Sequence, residues 1–175
     1  MTLSTATALS LILRRELDGT HPLIVIDTDD ESEVRQTVPH AIDANIETRH
    51  WSALRGVSKG RFIDEFASET EAPAAAFAWL IQQAPKHRSA NFFYDLGPHL
   101  GDARTVRALK EAVEWARGLF GSIVLVERGL KLPASIANDA HRVTVPTPTH
   151  EELLEIVRST VREVSQTRKL EASVR

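Results

Sequence analysis

Five short apolar runs separated by helical patterns and polar loops constrain this chain more than any other feature. "PLIVID" (Pro22–Asp27) is a continuous β-branched run, as a strand covered on both faces requires. "IETRHW" (Ile46–Trp51), "NFFYDL" (Asn91–Leu96), "SIVLVE" (Ser122–Glu127) and "HRVTV" (His141–Val145) repeat the pattern with differing strength. Strand alternating with helix predicts an α/β protein with an open, mostly parallel, five-stranded sheet and helices on both faces. Crossovers are then right-handed, and a ligand would sit beyond the carboxyl ends of the strands.

The helices carry their own punctuation. An amphipathic stretch opens the chain, "MTLSTATALSLILRREL"; its apolar middle has no basic residue before it, so it reads as a helix and not as a signal peptide. A second helix follows "TDDESEV", and Pro39 should end or kink it. A third starts near Pro73, a residue suited to a first helical turn. The fourth runs from about Ala103 to Phe120, with Asp102 as N-cap, Val106, Leu109, Val113 and Ala116 as buried stripe, and Gly121 as stop. The last helix opens on a capping box, Thr149 with Glu152, before Leu153, Leu154, Val157, Val161 and Val164. Residues 52–70 are polar and irregular, the best candidate for a long loop, with a short helical turn at "FIDEF".

Composition excludes more than it identifies. The 175 residues suit one domain, 1–166, followed by a tail or linker, 167–175. A formal net charge of −3 gives no electrostatic footprint for nucleic acid. The absence of Cys excludes disulfides and thiolate metal sites and leaves the compartment open. With no run approaching a membrane span and no signal peptide, a cytoplasmic protein is the default expectation. The seven His are scattered without a ligand-spaced pair, so spacing offers no zinc site. Trp51, Trp79 and Trp115 read as core or rim anchors rather than stacking platforms.

The strand ends carry acids: Asp27, Asp29 and Asp30, then Asp95, then Glu127. A phosphate cradle needs Gly-rich backbone, a Lys and a Ser or Thr. After the first strand the chain offers "DTDDESEV" instead, with five carboxylates in seven residues, which would repel a triphosphate. "GVSKGR" (Gly56–Arg61) has Gly and Lys, but it follows the second strand and lacks the spacing.

Carboxylate chemistry is the competing reading. "LIVIDTD" resembles the first motif of haloacid-dehalogenase-like phosphatases, with Asp27 as nucleophile and Asp29 as acid/base; Asp30 and Glu31 depart from that pattern, and no later acidic pair follows. "LIVIDTDDE" with "FFYDLGPHLGD" resembles a response-regulator receiver using Mg²⁺, with Asp95 as acceptor and Lys131 as its basic partner; the wide gap from Asp30 to Asp95 departs from that family. The plain alternative is a solvated acidic helix N-terminus, favoured by the helix dipole.

Three stretches in order resemble a different family. "LSLILRRELDGTHPLIVIDTDDESEV", "NFFYDLGPHLGDARTVRALKEAVEWA" and "SIVLVERGLKLPASIANDAHRVTVPTPTHEELLEIV" are similar to the N-terminal, P-loop-like domain, lacking Walker A, of uncharacterised AAA+ ATPases of the chloroplast/cyanobacterial reading-frame type. The likeness covers about residues 8 to 165. It implies sheet order 5-1-4-3-2, with Asp95 in the Walker B position, Leu96 where the catalytic Glu would stand, and Glu127 at the sensor position of the fourth strand. It further implies a segment with no catalytic, cofactor-binding or metal residues of its own. ATP and Mg²⁺ would belong to a downstream ATPase domain, which would be a partner of this one within a homo-oligomer. The role implied is self-association, partner recognition or regulation.

Overall fold

A computed structural model describes residues 5–19, 21–58, 65–83, 88–119 and 121–145, and eight positions between 150 and 162. The elements run in the order α1 (Thr5–Asp18), β1 (Leu23–Asp27), α2 (Glu31–Ala41), β2 (Glu47–Ser52), β3 (Gly56–Val57), α3 (Pro73–Gln82), β4 (Ser89–Tyr94), α4 (Ala103–Gly118), β5 (Ser122–Val126), α5 (Ala134–Ala137) and β6 (Ala140–Thr144). They build one six-stranded sheet in the order β3-β2-β4-β5-β1-β6. All pairings are parallel except β2 with β3. Without β3, the order is the expected 5-1-4-3-2.

The sixth strand lies inside the stretch expected to be a loop. β3 is two residues long, too short for periodicity to reveal, and it returns from a tight turn at Ala53–Arg55. Gly56 has φ +74, and a Cβ there would meet Thr70 Oγ1 at 2.3 Å. Thr70 Oγ1 accepts from Val57 N and donates to Ala67 O, fixing the edge. The glycine of "GVSKGR" therefore serves a turn; Lys59, Gly60 and Arg61 lie outside the described residues. So does most of "FIDEF"; its Phe66 forms an antiparallel bridge with Ser58.

Each face of the sheet has its own core, because strand side chains alternate. Leu23, Val25, Trp51, Phe93, Ile123 and Leu125 pack under α3 and α4 with Phe77, Leu80, Leu109 and Val113. Ile24, Ile26, Phe92, Tyr94, Val124 and Val126 pack under α1 and α2 with Leu9, Leu13, Val34 and Val38. Burying a side chain of this size stabilises by roughly 1.5–3 kcal/mol. Both faces of β1 and β5 are covered, so their sequences read as nearly unbroken apolar runs, while β4 also buries Ser89 and Asn91.

Helix boundaries agree with the caps. Asp102 accepts from the backbone N–H groups of Arg104 and Thr105, and the Thr105 side chain and those N–H groups hold its carboxyl below the usual range. α4 stops at Gly118, two residues before the expected end, and Gly121 N closes back on Ala116 O at 2.8 Å. Pro39 does not break α2. It sits in the last turn, the helix ends two residues later, and Arg14 Nε donates to Ala41 O at 2.9 Å.

Thr149, Glu152 and Val164 of the expected last helix lie outside the described residues. The described positions between 150 and 162 are helical, but Leu153, Leu154, Val157 and Val161 are exposed and form no part of either core.

Candidate functional site

Parallel register aligns the acids that close the central strands. Ile26 and Tyr94 both pair with Val126, so Asp27, Asp95 and Glu127 occupy the next position on three adjacent strands. This is the edge where an open α/β sheet binds its ligand.

The acids at this edge are engaged by the protein itself. Glu127 Oε2 accepts from Gly97 N at 2.7 Å, across the turn after β4. The contact needs a glycine, since a Cβ on residue 97 would lie 2.3 Å from Glu127 Oε1. Asp27 Oδ1 accepts from Gly129 N at 3.1 Å. Asp29 is paired with Arg128. Asp30 is the N-cap of α2 and accepts from Glu33 N at 2.8 Å. Two of these carboxylates thus take up loop N–H donors of the kind that hold a bound anion in other folds.

Asp95 itself is exposed and left-handed, with φ +52. Its hydrogen-bond partner is the Glu31 side chain. The N–H of the "GPHL" turn goes to Glu127 and not to Asp95, the assignment one would first make from sequence proximity. Desolvation, the hydrogen bond to Asp95 and the Asp95 charge push Glu31 up to about 7, against the pull of Arg35 at 3.1 Å. Burial and a neighbouring carboxylate both disfavour the charged form of Glu31.

The acids do not converge. Among the described residues, no three of these edge carboxylates offer oxygens close enough together to hold one ion. Asp27 and Asp29 face different partners, and Lys131 is exposed in the loop after β5. Leu96 is buried at 1 % exposure, so the position after Asp95 belongs to the core.

Beside this edge, α2 and the ends of β2 and β4 enclose a cleft of about 300 Å³ lined by Arg35, His50, Arg55, Phe66 and Tyr94. The Arg35 guanidinium lies 4.0 Å from the Tyr94 ring centroid. His50 Nδ1 is 2.8 Å from Tyr94 Oη, while its buried Nε2 has no hydrogen-bond partner. Burial and the Arg35 charge push His50 down to about 4, so the ring is neutral at physiological pH. Sequence reasoning missed Glu31, Arg35, His50 and Tyr94 as a group. Its one signal was the crowding of carboxylates around Glu31.

The model of the SpoVK-like AAA ATPase N-terminal domain matches residues 9–145. No curated protein matches the chain. Among solved structures, the crystal structure of a DNA replication initiation factor is similar with TM-score 0.59 at 12 % identity, over 93 % of this chain and 53 % of that one. The structure of PCH-2 from C. elegans is similar with TM-score 0.51 at 11 % identity, over 91 % of this chain and 46 % of that one. The chain therefore spans about half the length of each, and at such identity the likeness is one of fold. The family match covers most of the sheet and its helices: the chain belongs to the family of SpoVK-like AAA ATPase N-terminal domains.

Proposed function

We propose that this domain is a non-catalytic nucleotide-fold module of an AAA+ ATPase that acts in self-association, partner recognition or regulation of the ATPase domain. Residues 1–166 form the module and 167–175 connect it onward to an ATPase domain that binds ATP and Mg²⁺. The whole protein works as a cytoplasmic homo-oligomer. Asp95 is a relic of a Walker B acid, and none of Asp27, Asp29 or Asp30 is catalytic.

One observation carries the reading. From the last residue of β1 through the first turn of α2, where a phosphate cradle would lie, the chain places five carboxylates, and Asp30 caps the helix that would otherwise face the phosphate. An acidic turn repels a polyphosphate, and the cap takes one of the donors at the helix start, Glu33 N. Leu96 supports it, since a leucine at the base position cannot take a proton from water. The phosphatase and receiver readings are not favoured, because their acids do not converge.

Calorimetric titration of the chain with Mg-ATP tests the proposal. The expected result is no saturable heat, and a dissociation constant of micromolar order would overturn it.

A further inference from the structure

The amino end of the sheet, away from the edge described above, gathers a second set of ionisable side chains. Glu16 lies in the last turn of α1 and is 5 % exposed. His21 lies in the segment between α1 and β1. His141 stands in β6, paired in register with Ile24 of β1. One ligand atom from each of the three lies within 4.8 Å of the others. His141 Nε2 is 2.8 Å from Glu16 Oε2, and the rings of His21 and His141 stack with centroids 4.2 Å apart. The backbone around them is tied: Ser122 Oγ donates to His21 O at 2.8 Å, and a Cβ on Gly19 would touch His21 Cδ2 at 3.0 Å.

We propose that Glu16, His21 and His141 bind a divalent transition-metal ion of the zinc class. Two imidazoles and one carboxylate form a mixed nitrogen and oxygen set, which suits Zn²⁺ or Co²⁺ and not Mg²⁺ or Ca²⁺, whose preferred ligands are oxygens. The carboxylate is buried and the rings are partly exposed, so the ion sits at a mouth with its remaining positions open to water. A buried carboxylate is stabilised by a cation beside it. The mostly exposed Arg15 is one such partner, and a metal held by the two imidazoles would be a second.

The geometry needs one adjustment. Metal–ligand distances of about 2.0–2.2 Å place neighbouring ligand atoms roughly 3.3–3.5 Å apart. The Glu16–His141 pair, at 2.8 Å, must widen to admit an ion, and the parallel rings must open so that both nitrogens face one point. His21 can turn, because it lies on a connecting segment and not on a strand. The bound ion would then tie α1 and the α1–β1 segment to the β6 edge.

The test uses the whole chain, stripped with a chelator. Zn²⁺ is titrated by calorimetry, and Co²⁺ by its visible absorption, whose intensity separates low-coordinate nitrogen and oxygen sites from hydrated ion. The expected result is one Zn²⁺ per chain at micromolar affinity or tighter and an intense Co²⁺ band. His21→Asn and His141→Asn should each weaken binding by at least about tenfold, as loss of a ligand or its support does. Circular dichroism confirms that each variant is folded, and His21→Asn, on the connecting segment, remains informative if His141→Asn does not fold. Asp95→Asn should bind as the parent does. Binding weaker than about 100 µM would overturn the proposal, as would folded His21→Asn binding like the parent, since an adventitious ion on other histidines is then the source.

Discussion

The two ends of the sheet hold ionisable residues in opposite ways. At the carboxyl end, Asp27 and Glu127 each take a backbone N–H from a glycine, Asp30 caps a helix, and burial and Asp95 hold the Glu31 carboxyl above its usual range. At the amino end, one carboxylate and two imidazoles face one another across three elements. Position in a fold therefore does not by itself make a site. The end where the fold family would bind its ligand has its donors occupied from within, while the end with no inherited role offers converging ligands.

Variants at the carboxyl end sharpen this contrast, since each should change stability and leave metal binding unchanged. Phe93→Ala has the largest expected effect. The ring is 1 % exposed, with the Phe77 ring 4.3 Å away, and its loss should cost about 3–5 kcal/mol in urea melts. Gly97→Ala comes next. The added methyl would displace the Glu127 carboxylate and break a charge-assisted bond, so about 1.5–3 kcal/mol should be lost.

The Glu31–Asp95 pair predicts a pH dependence of smaller size. The folded Glu31 carboxyl titrates at about 7, above its ordinary value of 4.5, so between these values the folded state holds more protons than the unfolded chain. Its stabilising contribution is complete below about 4.5 and is lost as pH rises through about 7. Thermal melts from pH 5 to 8 should show that decline, of order 1 kcal/mol after solvent screening, and Glu31→Gln should flatten it. His50 acts the other way: held neutral, with its value lowered to about 4, it withdraws stability as pH falls from 6.5 toward 4.

Asp95→Asn has the smallest effect. Asn tolerates the left-handed backbone at this position and removes the charge facing Glu31, so stability at pH 8 should stay within about 1 kcal/mol of the parent, on the stabilising side. A loss as large as that of Phe93→Ala would make Asp95 a paired structural charge and would erase the contrast between the two ends.

The parallel sheet was legible in the sequence because burial on both faces leaves "LIVID" and "SIVLV" with no polar interruption. Asp102 was legible as a cap, since capping is local. β3 was hidden because two residues carry no period, and its edge is fixed by Thr70, thirteen residues beyond Val57. Of the carboxyl end, the acids and their strand positions could be read, but not their partners. Gly97 and Glu127 meet only through the pairing of β4 with β5. The amino-end cluster was invisible for the same reason carried further. Glu16 and His141 are neighbours because α1 packs on a sheet whose last strand lies beside its first, and no spacing rule spans that distance.

The most direct test of the central claim watches the two glycine N–H groups. In an amide NMR spectrum of the chain, Gly97 and Gly129 should be shifted by their carboxylate partners and should stay fixed as Mg-ATP is added to millimolar excess. Saturable movement of both resonances, together with those of Asp27 and Asp95, would mean that the carboxyl end opens to accept a nucleotide, and the account of it as a self-occupied edge would be wrong.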